Sequence, residues 1–321
     1  MPERCLVIGL GQVGMGYDLE LDPSAAVHSH ARAFSQHPAF ELSGGVDASE
    51  ARCSLFVSHY NSSAFCDLHE ALDVINPVVV VIATPTETHS RVLHQVLAHS
   101  KPKLILCEKP LAYDLVAASN MLSACKGAGV DIYVNYIRRA DPGVLEVKAR
   151  IDSSAIKLPV KGNVWYSKGF LNNGSHFFNL LEFWLGQFVR ATVLETGRLW
   201  DAWDPEPCVQ VEFENGKVIF QSGWGENFSH NTLELLSPSG RLRYEEGGSS
   251  ISWQSLQKHP TFAGYKILVP EPESIINDMK CYQWNVVDQI ACALNGEKHN
   301  LCDGREALRT LEAMHKIIDQ K

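Results

Sequence analysis

The sequence predicts a two-domain α/β protein, in which a parallel sheet with crossover helices precedes an α+β domain with a large, mostly antiparallel sheet. The chain has 321 residues, 45% of them hydrophobic and 20% charged, and this length favours two cores over one. In the first part, short β-branched runs alternate with helical patterns, as is typical of a parallel sheet. From about residue 160, strands are joined by tight turns, which indicates antiparallel pairing.

Apolar runs in the first part have the length and composition of buried strands. Residues 78–82 are apolar without alternation, as expected of a central strand that helices cover on both faces. Helices fill the gaps, and Asp114 is the expected N-cap of one of them, with Gly127 or Gly129 at its end. The predicted strands are 5–8, 41–46, 78–82, 103–107 and 132–135, and the clearest helices are 90–98 and 114–126.

The second part carries turn signals between short strands. Asn215-Gly216, between two apolar runs, predicts a hairpin, and residues 237–240 predict another turn. The helices predicted in this part are 172–185, 284–294 and 305–318.

These patterns divide the chain into two domains. We place the first at residues 1–136 and the second at residues 137–321. The C-terminal helix, about residues 305–319, is a candidate to pack back on the first domain.

Charge and composition restrict the partners of the protein. The 37 acidic and 28 basic side chains leave a net charge of −9, which disfavours nucleic acid and anionic membranes as partners and favours a small molecule. No apolar run approaches the roughly 20 residues that cross a bilayer, and the first residues lack a signal-peptide pattern, so we expect a cytoplasmic protein. Nine cysteines without Cys-x-x-Cys spacing, and histidines without ligand spacing, predict no metal site.

A glycine-rich loop follows the first predicted strand. In a dinucleotide-binding (Rossmann) turn, Gly9 permits the tight turn, Gly11 lets the backbone approach the pyrophosphate, and Gly14 allows close packing of helix and sheet. Backbone N–H groups and the positive end of the helix then hold the diphosphate. The candidate cofactor-binding residues of this loop are Gly9, Gly11, Gln12, Val13 and Gly14.

Asp47 ends the second predicted strand and has two interpretations. As the acidic residue of a dinucleotide fold, it binds the ribose hydroxyls and repels a 2′-phosphate, which favours NAD over NADP. As part of Asp47-Ala48-Ser49-Glu50, it is instead the N-cap of a helix. Arg52 can still bind a phosphate, so NADP is not excluded.

The spacing between the loop and Asp47 is unusual. Asp47 lies 33 residues after Gly14, where about 20 are expected. Residues 17–30 account for the excess as an insertion, which we expect to project near the cofactor or substrate cleft.

Several motifs together give the chain a resemblance to a known family along its whole length. The motifs are the glycine loop, Ala83-Thr84-Pro85-Thr86, Cys107-Glu108-Lys109-Pro110, Asn135-Tyr136-Ile137-Arg138-Arg139 and Gly174-Ser175-His176. This set resembles the Gfo/Idh/MocA oxidoreductases, named for glucose-fructose oxidoreductase and inositol dehydrogenase. The resemblance implies that Thr84, Pro85, Glu108 and Lys109 bind the cofactor.

By the same resemblance, Lys109 and His176 are the catalytic pair. A fixed ammonium beside the nicotinamide stabilises the alkoxide-like oxygen of the reacting alcohol during hydride transfer. An imidazole exchanges the hydroxyl proton near neutral pH. Members of the family often carry aspartates where this chain has Asn172 and Asn179. Asn172 cannot supply the negative charge that holds a protonated imidazole, so three alternatives are open: His176 is harder to protonate, it works with Lys109 as a proton relay, or activity is lost.

Substrate contacts and assembly follow from nearby residues. Lys168, Asn172 and Asn173 offer donors and acceptors for a polyhydroxylated substrate. Arg138 and Arg139 match a carboxylate or the phosphate of a nucleotide sugar, or they are a solvated pair at the domain boundary. Tyr136 either stacks on the nicotinamide or packs in the core. The resemblance implies a homodimer or homotetramer. The tryptophans that can cover such an interface, or pack in the core, are Trp200, Trp203, Trp224 and Trp253.

The leading functional hypothesis is an NAD(P)-dependent oxidoreductase acting on a secondary alcohol or ketone of a sugar, cyclitol or nucleotide-linked sugar. Two alternatives remain. One is reduction of a non-sugar double bond, and the other is a catalytically silent regulatory protein that binds a dinucleotide.

Overall fold

The computed structural model describes residues 1–201 and 204–320. They form two compact units. The first comprises Met1–Ala140 with Lys280–Arg309, and the second comprises Asp141–Met279 with the end of the chain from Thr310. The sequence-based division differs from this in two respects: the first unit runs to Ala140 and not to residue 136, and the stretch 280–309 packs with the first unit. The stretch belongs there because Cys302–Asp303 pairs antiparallel with Tyr133 and Val134 of the first sheet.

A parallel sheet forms the centre of the first unit. Its strands β1 to β6 are Glu3–Ile8, Phe40–Val46, Ser63–Phe65, Val79–Ile82, Leu104–Cys107 and Asp131–Val134. They lie in the order β6-β5-β4-β1-β2-β3, and all of these pairs are parallel. This is the strand order of a doubly wound dinucleotide-binding sheet, so the predicted Rossmann domain is confirmed. The short β3 was not predicted.

Packing explains the central position of β4. Every residue of Val79–Ile82 is fully buried, as the prediction of a strand with both faces covered requires. Helices α1 to α5 surround the sheet. Their bounds are His30–Gln36, Glu50–Tyr60, Leu68–Ile75, His89–His99 and Leu115–Ala128.

The ends of α5 confirm the predicted capping signals. The carboxylate of Asp114 accepts from the backbone N–H groups of Val116 and Ala117, at 2.8 and 3.1 Å. Gly129 ends the helix with φ +69°, which a residue without a side chain adopts at little cost. The sequence therefore determines this helix locally.

The second unit is built on a mixed but mostly antiparallel sheet. Its strands β7 to β15 are Val160–Tyr166, Phe188–Glu195, Cys208–Phe213, Gly216–Ser222, Thr232–Ser237, Gly240–Glu245, Ser250–Lys258, Lys266–Leu268 and Glu273–Ser274. The main path is β14-β13-β12-β11-β7-β10-β9-β8, in which only β7 and β10 are parallel partners among the described strands. The predicted hairpins at Asn215-Gly216 and residues 237–240 are confirmed.

Two helices of the second unit are α6, Pro142–Asp152, and α7, Ser175–Leu185. Asp141 is the N-cap of α6, and its buried carboxylate accepts from Gly143 and Val144 at 2.9 and 3.1 Å. Of the tryptophans, Trp253 is buried, Trp200 and Trp224 are exposed, and Trp203 lies outside the described residues.

The last part of the chain contains α8, Tyr282–Leu294, then β16, Cys302–Asp303, and α9, Gly304–Ile318. The first of these helices packs in the first unit, where Val286, Val287 and Ile290 are buried in its core. In the part of the chain that the structure describes, no helix is both long and apolar enough to cross a membrane.

Candidate dinucleotide site and proton-exchange segment

The predicted cofactor residues of the first unit lie along one edge of its sheet. Ile8 is in register with Ile82, Ile82 with Cys107, and Cys107 with Val134, so these parallel strands end side by side. The residues that follow these strand ends are Gly9 to Gly14, Asp47, Thr84, Pro85, Glu108, Lys109, Tyr136 and Arg138. Ligands of open α/β sheets bind outside the carboxyl ends of the strands, which is where this set lies.

Close backbone contacts explain two glycines of the loop. A Cβ on Gly9 would lie 2.6 Å from the carbonyl oxygen of Ala83, and its φ is +96°. A Cβ on Gly14 would lie 1.9 Å from the carbonyl oxygen of Gly9. Any side chain at these two positions would force the loop apart.

Gly11 is different, and its surroundings fit a diphosphate. A Cβ there would meet no atom within 4 Å, so the protein itself leaves space over this residue. The backbone N–H groups of Gln12 and Val13 have no hydrogen-bond acceptor among the described residues. Unpaired N–H groups at a helix start, next to open space, are the donors that a diphosphate requires.

The helix after the loop is interrupted and then resumes. His30 donates its backbone N–H to the carbonyl of Val13 at 3.0 Å, and Ala31 donates to Gly14 at 2.9 Å. His30 therefore takes the helical position that Tyr17 would have, thirteen residues later. Without these thirteen residues, Asp47 follows Gly14 at the expected distance of about 20. The predicted insertion is confirmed, and it lies inside the first helical segment.

Buried charges hold the inserted segment. The carboxylate of Asp18, fully buried, accepts from the backbone N–H groups of His28 and Ser29 and from the Ser29 hydroxyl. The guanidinium of Arg32, also buried, donates to backbone carbonyls of the same segment. These carbonyls are those of Asp18, Leu21, Asp22 and Ala26. Because each buried charge is hydrogen-bonded, the segment has a defined conformation.

Asp47 binds the glycine loop directly. Its Oδ2 accepts from the backbone N–H of Leu10 at 2.9 Å, and its Oδ1 accepts from Ser49 N–H at 2.9 Å. The N-cap of the following helix is Ser49, whose side chain accepts from the N–H of Arg52, so the alternative interpretation of Asp47 as N-cap is wrong. Ser49 caps because it immediately precedes the first helical residue. The Arg52 guanidinium lies 3.4 Å from the Asp47 carboxylate.

His89 ties two of these loops together. Its ring nitrogens lie 2.9 Å from the carbonyl of Thr84 and 3.2 Å from the carbonyl of Leu111, which follows the Glu-Lys-Pro motif. The ring is buried, and burial lowers the pKa of His89 against the opposing effect of these carbonyls. This histidine therefore has a structural role.

Glu108 lies in a buried polar cluster that the sequence did not indicate. Its Oε1 lies 2.8 Å from Nε2 of His30 and accepts from the Asn135 amide at 2.6 Å. The same amide lies 3.2 Å from Oε1 of Gln283 on α8. Burial opposes ionisation of Glu108, but the hydrogen bond and charge of His30, with Asn135 and Lys109, outweigh it and lower the pKa of Glu108. Glu108 is therefore a carboxylate at neutral pH.

Lys109 follows directly and donates its backbone N–H to Oε2 of Glu108 at 3.3 Å. Tyr136 is buried, and Arg138 is partly exposed beside it. Its neighbour Arg139 is buried, because its guanidinium pairs with Glu306 at 2.7 Å. Of the two arginines, only Arg138 remains a candidate for a ligand.

The other candidates lie in the second unit, on the segment between β7 and α7. A π-helical turn, Gly169–Gly174, joins these elements, and His176 is the second residue of α7. Lys168 precedes the turn, and the Asn172 amide donates to its carbonyl at 3.0 Å. Lys168, Asn173 and His176 are partly exposed, and Asn172 is exposed. The structure therefore brings these candidates together on one short segment.

Two acidic residues that sequence reasoning missed hold this segment. The Asp204 carboxylate accepts from the N–H groups of Leu171 and Asn172 at 2.8 and 2.9 Å. Oε1 of Glu206, fully buried, accepts from the N–H groups of Lys168 and Gly169 at 2.7 and 3.2 Å. Burial raises the pKa of Asp204, although the N–H groups oppose this effect. No local pattern indicates these carboxylates, because they lie more than 30 residues from the segment they bind.

The environment of Asn179 shows what replaces the usual aspartate. The Asn179 side chain is buried and donates to the hydroxyl of Thr310 at 3.1 Å, and that hydroxyl contacts Glu182. A carboxylate at this position would lie in a contact that already contains Glu182. Among the described residues, no group of three histidine, cysteine or acidic side chains is arranged to hold a metal ion.

Together, the strand order, the glycine loop and the edge that carries Glu108 and Lys109 define a dinucleotide-binding oxidoreductase fold. Residues 4–136 match the model of the oxidoreductase family with an NAD-binding Rossmann fold. This match over the predicted Rossmann domain agrees with the resemblance to the Gfo/Idh/MocA oxidoreductases that the motifs indicated.

Relatives and solved structures agree with this assignment. Myo-inositol 2-dehydrogenase of Thermotoga maritima is 24% identical over 288 residues, which is 80% of this chain and 82% of that protein. An NAD-binding oxidoreductase from Klebsiella pneumoniae has a TM-score of 0.77 at 15% identity, with 98% of this chain and 96% of that chain covered. The WlbA dehydrogenase from Bordetella pertussis, in complex with NADH and UDP-GlcNAcA, has a TM-score of 0.72 at 20% identity, with 97% and 94% covered. At these identities the structural likeness shows the fold.

Proposed function

We propose that the protein transfers hydride between a nicotinamide dinucleotide and a secondary alcohol or ketone of a polyhydroxylated ring. The substrate classes are cyclitols, sugars and nucleotide-linked sugars. The observation that carries the proposal is the edge of the first sheet, where the glycine loop with its unpaired N–H groups follows β1 and the Glu108-Lys109 pair follows β5, with β4 between these two strands. Relatives named for inositol and for UDP-GlcNAcA support the substrate class.

The cofactor in this proposal is NAD, and NADP is a second choice. Asp47 is ionisable, lies at the end of β2 and already orients the loop through Leu10, so its carboxylate opposes a 2′-phosphate there. Arg52, 3.4 Å away and more than half exposed, is the cation that would meet such a phosphate if the carboxylate were absent.

The residues that hold the dinucleotide in this proposal come from the loops of the first unit. When bound, the nicotinamide supplies the acceptor or donor of hydride. The loop residues hold the diphosphate through backbone N–H groups, and Asp47 binds the ribose. Thr84, Pro85 and Glu108 complete the proposed contacts.

Lys109 is the proposed stabiliser of the substrate oxygen. Removal of the hydroxyl proton gives this oxygen alkoxide character while hydride leaves the carbon, and an ammonium lowers the energy of that state. The carboxylate of Glu108 accepts a hydrogen bond from the backbone N–H of Lys109, so the lysine side chain extends from a fixed backbone position. A charge that is already in position needs little reorganisation of its surroundings when the reaction occurs.

His176 is the proposed proton-exchanging group. It is partly exposed at the start of α7, on a segment that Asp204 and Glu206 hold through four backbone N–H groups. A rigid position is what a general base requires. Lys168, Asn172 and Asn173, on the same segment, are the proposed donors and acceptors for substrate hydroxyls, and Tyr136 and Arg138 are proposed contacts from the first unit.

A steady-state assay tests this proposal. We expect NADH formation with NAD and at least one member of a panel of cyclitols, aldoses and nucleotide sugars. Lys109→Ala is expected to lower kcat/KM about 100- to 1,000-fold, and His176→Ala about 100-fold or more. Matched controls are Lys126→Ala and His230→Ala, which remove exposed residues of the same types and are expected to stay within about twofold of wild type.

The outcomes separate the competing functions. NADH binding without turnover on any substrate of the panel would favour a regulatory protein. Unchanged turnover in Lys109→Ala would contradict the proposed role of this lysine but would still support an oxidoreductase. A cytoplasmic location and a homodimer or homotetramer remain predictions.

A further inference from the structure

His30 is fully buried, and its side chain contacts the glutamate of the Glu-Lys-Pro motif. Its Nε2 lies 2.8 Å from Oε1 of Glu108, and its Nδ1 has no hydrogen-bond partner among the described residues. The imidazole is therefore held through one nitrogen only. We infer that His30 is a positioning residue that fixes Glu108 and, through it, the backbone of Lys109.

The inserted segment determines where His30 lies. The segment is tied to the start of α8, because Val27 donates its N–H to the carbonyl of Lys280 at 2.9 Å and Gln283 donates to Val27 at 3.3 Å. The ring of His28 stacks on Tyr282, with centroids 5.2 Å apart. These contacts close the insertion and α8 around the His30 ring, so it has little freedom to move away from Glu108.

The charge of Glu108 needs this contact. Its carboxylate is largely buried, and a buried charge is stable only when it is hydrogen-bonded. Asn135 and His30 both contact Oε1, whereas Oε2 accepts from the backbone N–H of Lys109. If His30 is lost, Asn135 alone holds Oε1, and the carboxylate is free to rotate away from Lys109 N–H.

Positioning of this kind affects catalysis more than binding. The inference rests on the proposed function, in which the Lys109 ammonium stabilises a charge that exists only in the transition state. A displacement of about 1 Å at such a group can lower the rate about 100-fold. Ground-state binding of cofactor depends mainly on the glycine loop and Asp47, and the hydrogen bonds of the His30 ring go to Glu108 and Gln283 instead.

Two variants and one control separate positioning from simple packing. His30→Ala removes the contact to Glu108. His30→Gln keeps an amide donor near the position of Nε2, which is sufficient because Nδ1 makes no hydrogen bond. The control is His37→Ala, which removes a buried histidine at the C-cap of the same helix, where its ring contacts Trp284 and Asp288 and not Glu108.

We expect His30→Ala to lower kcat about 10- to 100-fold, with KM and the Kd for NADH within about threefold of wild type. His30→Gln should recover kcat to within about threefold of wild type. His37→Ala should show a loss of thermal stability similar to that of His30→Ala but keep kcat within about threefold.

Crystal structures of the three variants supply a readout independent of turnover. Glu108 should be displaced in His30→Ala and in place in His30→Gln and His37→Ala. The inference is overturned if Glu108 does not move in His30→Ala, if His30→Gln is as slow as His30→Ala, or if His37→Ala is equally slow. A wild-type enzyme that binds NADH but turns over no substrate contradicts the proposed function instead, and the positioning role in catalysis falls with it.

Discussion

His30 donates its backbone N–H to the carbonyl oxygen of Val13 at 3.0 Å, seventeen residues earlier in the chain. Two distant parts of the sequence thereby form one helical segment beside the dinucleotide loop. The thirteen residues between the two parts leave the helix and return to it, so they are an insertion in this helix, and Val27 from the insertion packs in the core of the first unit.

Deletion of residues 17–29 tests this relationship. The variant should also carry Arg32→Ala, because the guanidinium would otherwise lose the carbonyls that surround it and remain buried and unpaired. We expect a folded protein with a melting temperature several degrees lower and a Kd for NADH within about threefold of wild type. Thermal denaturation and NADH fluorescence titration measure both. An unfolded variant, or one that no longer binds NADH, would contradict the interpretation.

Gly11→Ala and Gly14→Ala should have opposite profiles. A Cβ on Gly11 meets no protein atom within 4 Å, so stability should be unchanged while the Kd for NADH rises at least tenfold, about 1.4 kcal/mol. A Cβ on Gly14 lies 1.9 Å from the Gly9 carbonyl, so this variant should lose about 1–3 kcal/mol of stability. Chemical denaturation measures the stability of both variants, and NADH titration measures their Kd. Equal stability of the two variants would argue against the loop geometry.

Asp47→Asn should change the choice of cofactor. The amide oxygen can still accept from Leu10 N–H, which keeps the loop, whereas the hydrogen bond from Ser49 N–H and the negative charge near the ribose are lost. We expect the ratio of kcat/KM for NAD to that for NADP to fall at least tenfold, about 1.4 kcal/mol. Glu50→Ala, which removes an exposed acidic side chain of the same helix start, is the control and should leave the ratio unchanged. An unaltered ratio in Asp47→Asn would remove Asp47 from the discrimination.

Glu108 should contribute to acid denaturation. Burial opposes its ionisation, but His30, Asn135 and Lys109 hold its pKa below the ordinary value of 4.5. A carboxyl group with a lowered pKa stabilises the folded state above its unfolded pKa, and this stability is lost as the pH falls through 4.5 toward the folded pKa. The free energy of unfolding, measured by urea denaturation from pH 6 downward, should therefore fall less steeply in Glu108→Gln than in wild type. Parallel curves would show that Glu108 does not titrate in this range.

Local patterns were sufficient for the elements and the cofactor loop. The buried run at β4, the caps of α5 and the turn at Asn215-Gly216 depend on residues that are close in sequence, and each is confirmed. The excess spacing before Asp47 also revealed the insertion, because a dinucleotide fold sets that distance. The alternation of strands and helices indicated the parallel sheet.

Contacts between distant residues were not predictable in the same way. The stretch 280–309 was assigned to the second domain, since nothing in its composition shows that Gln283 meets Asn135 or that Cys302 pairs with Val134. Ser49 rather than Asp47 caps α2, because the cap depends on where the helix begins and the sequence leaves that open by a residue or two.

The candidate site also combines residues that local patterns indicate with residues that only the fold brings in. Its glycines and the Glu-Lys-Pro motif are readable from the sequence, whereas the groups that hold them are not. The position of His30 beside the glycine loop can be recognised only when residues 17–29 are left out and the helix after the loop is continued at His30. Asp204 and Glu206 fold back from a distant segment onto the start of the π-helical turn.

Transfer of deuterium tests the central claim most directly. Reduced cofactor carrying deuterium at nicotinamide C4, prepared in both stereochemical forms, would be incubated with the ketone form of the substrate that the panel identifies. Our account predicts that one of the two forms delivers its deuterium to the alcohol carbon of the product, as mass spectrometry of the product would show, and that Lys109→Ala slows this transfer. Product formed without deuterium from either form, or no product although NADH is bound, would contradict the account.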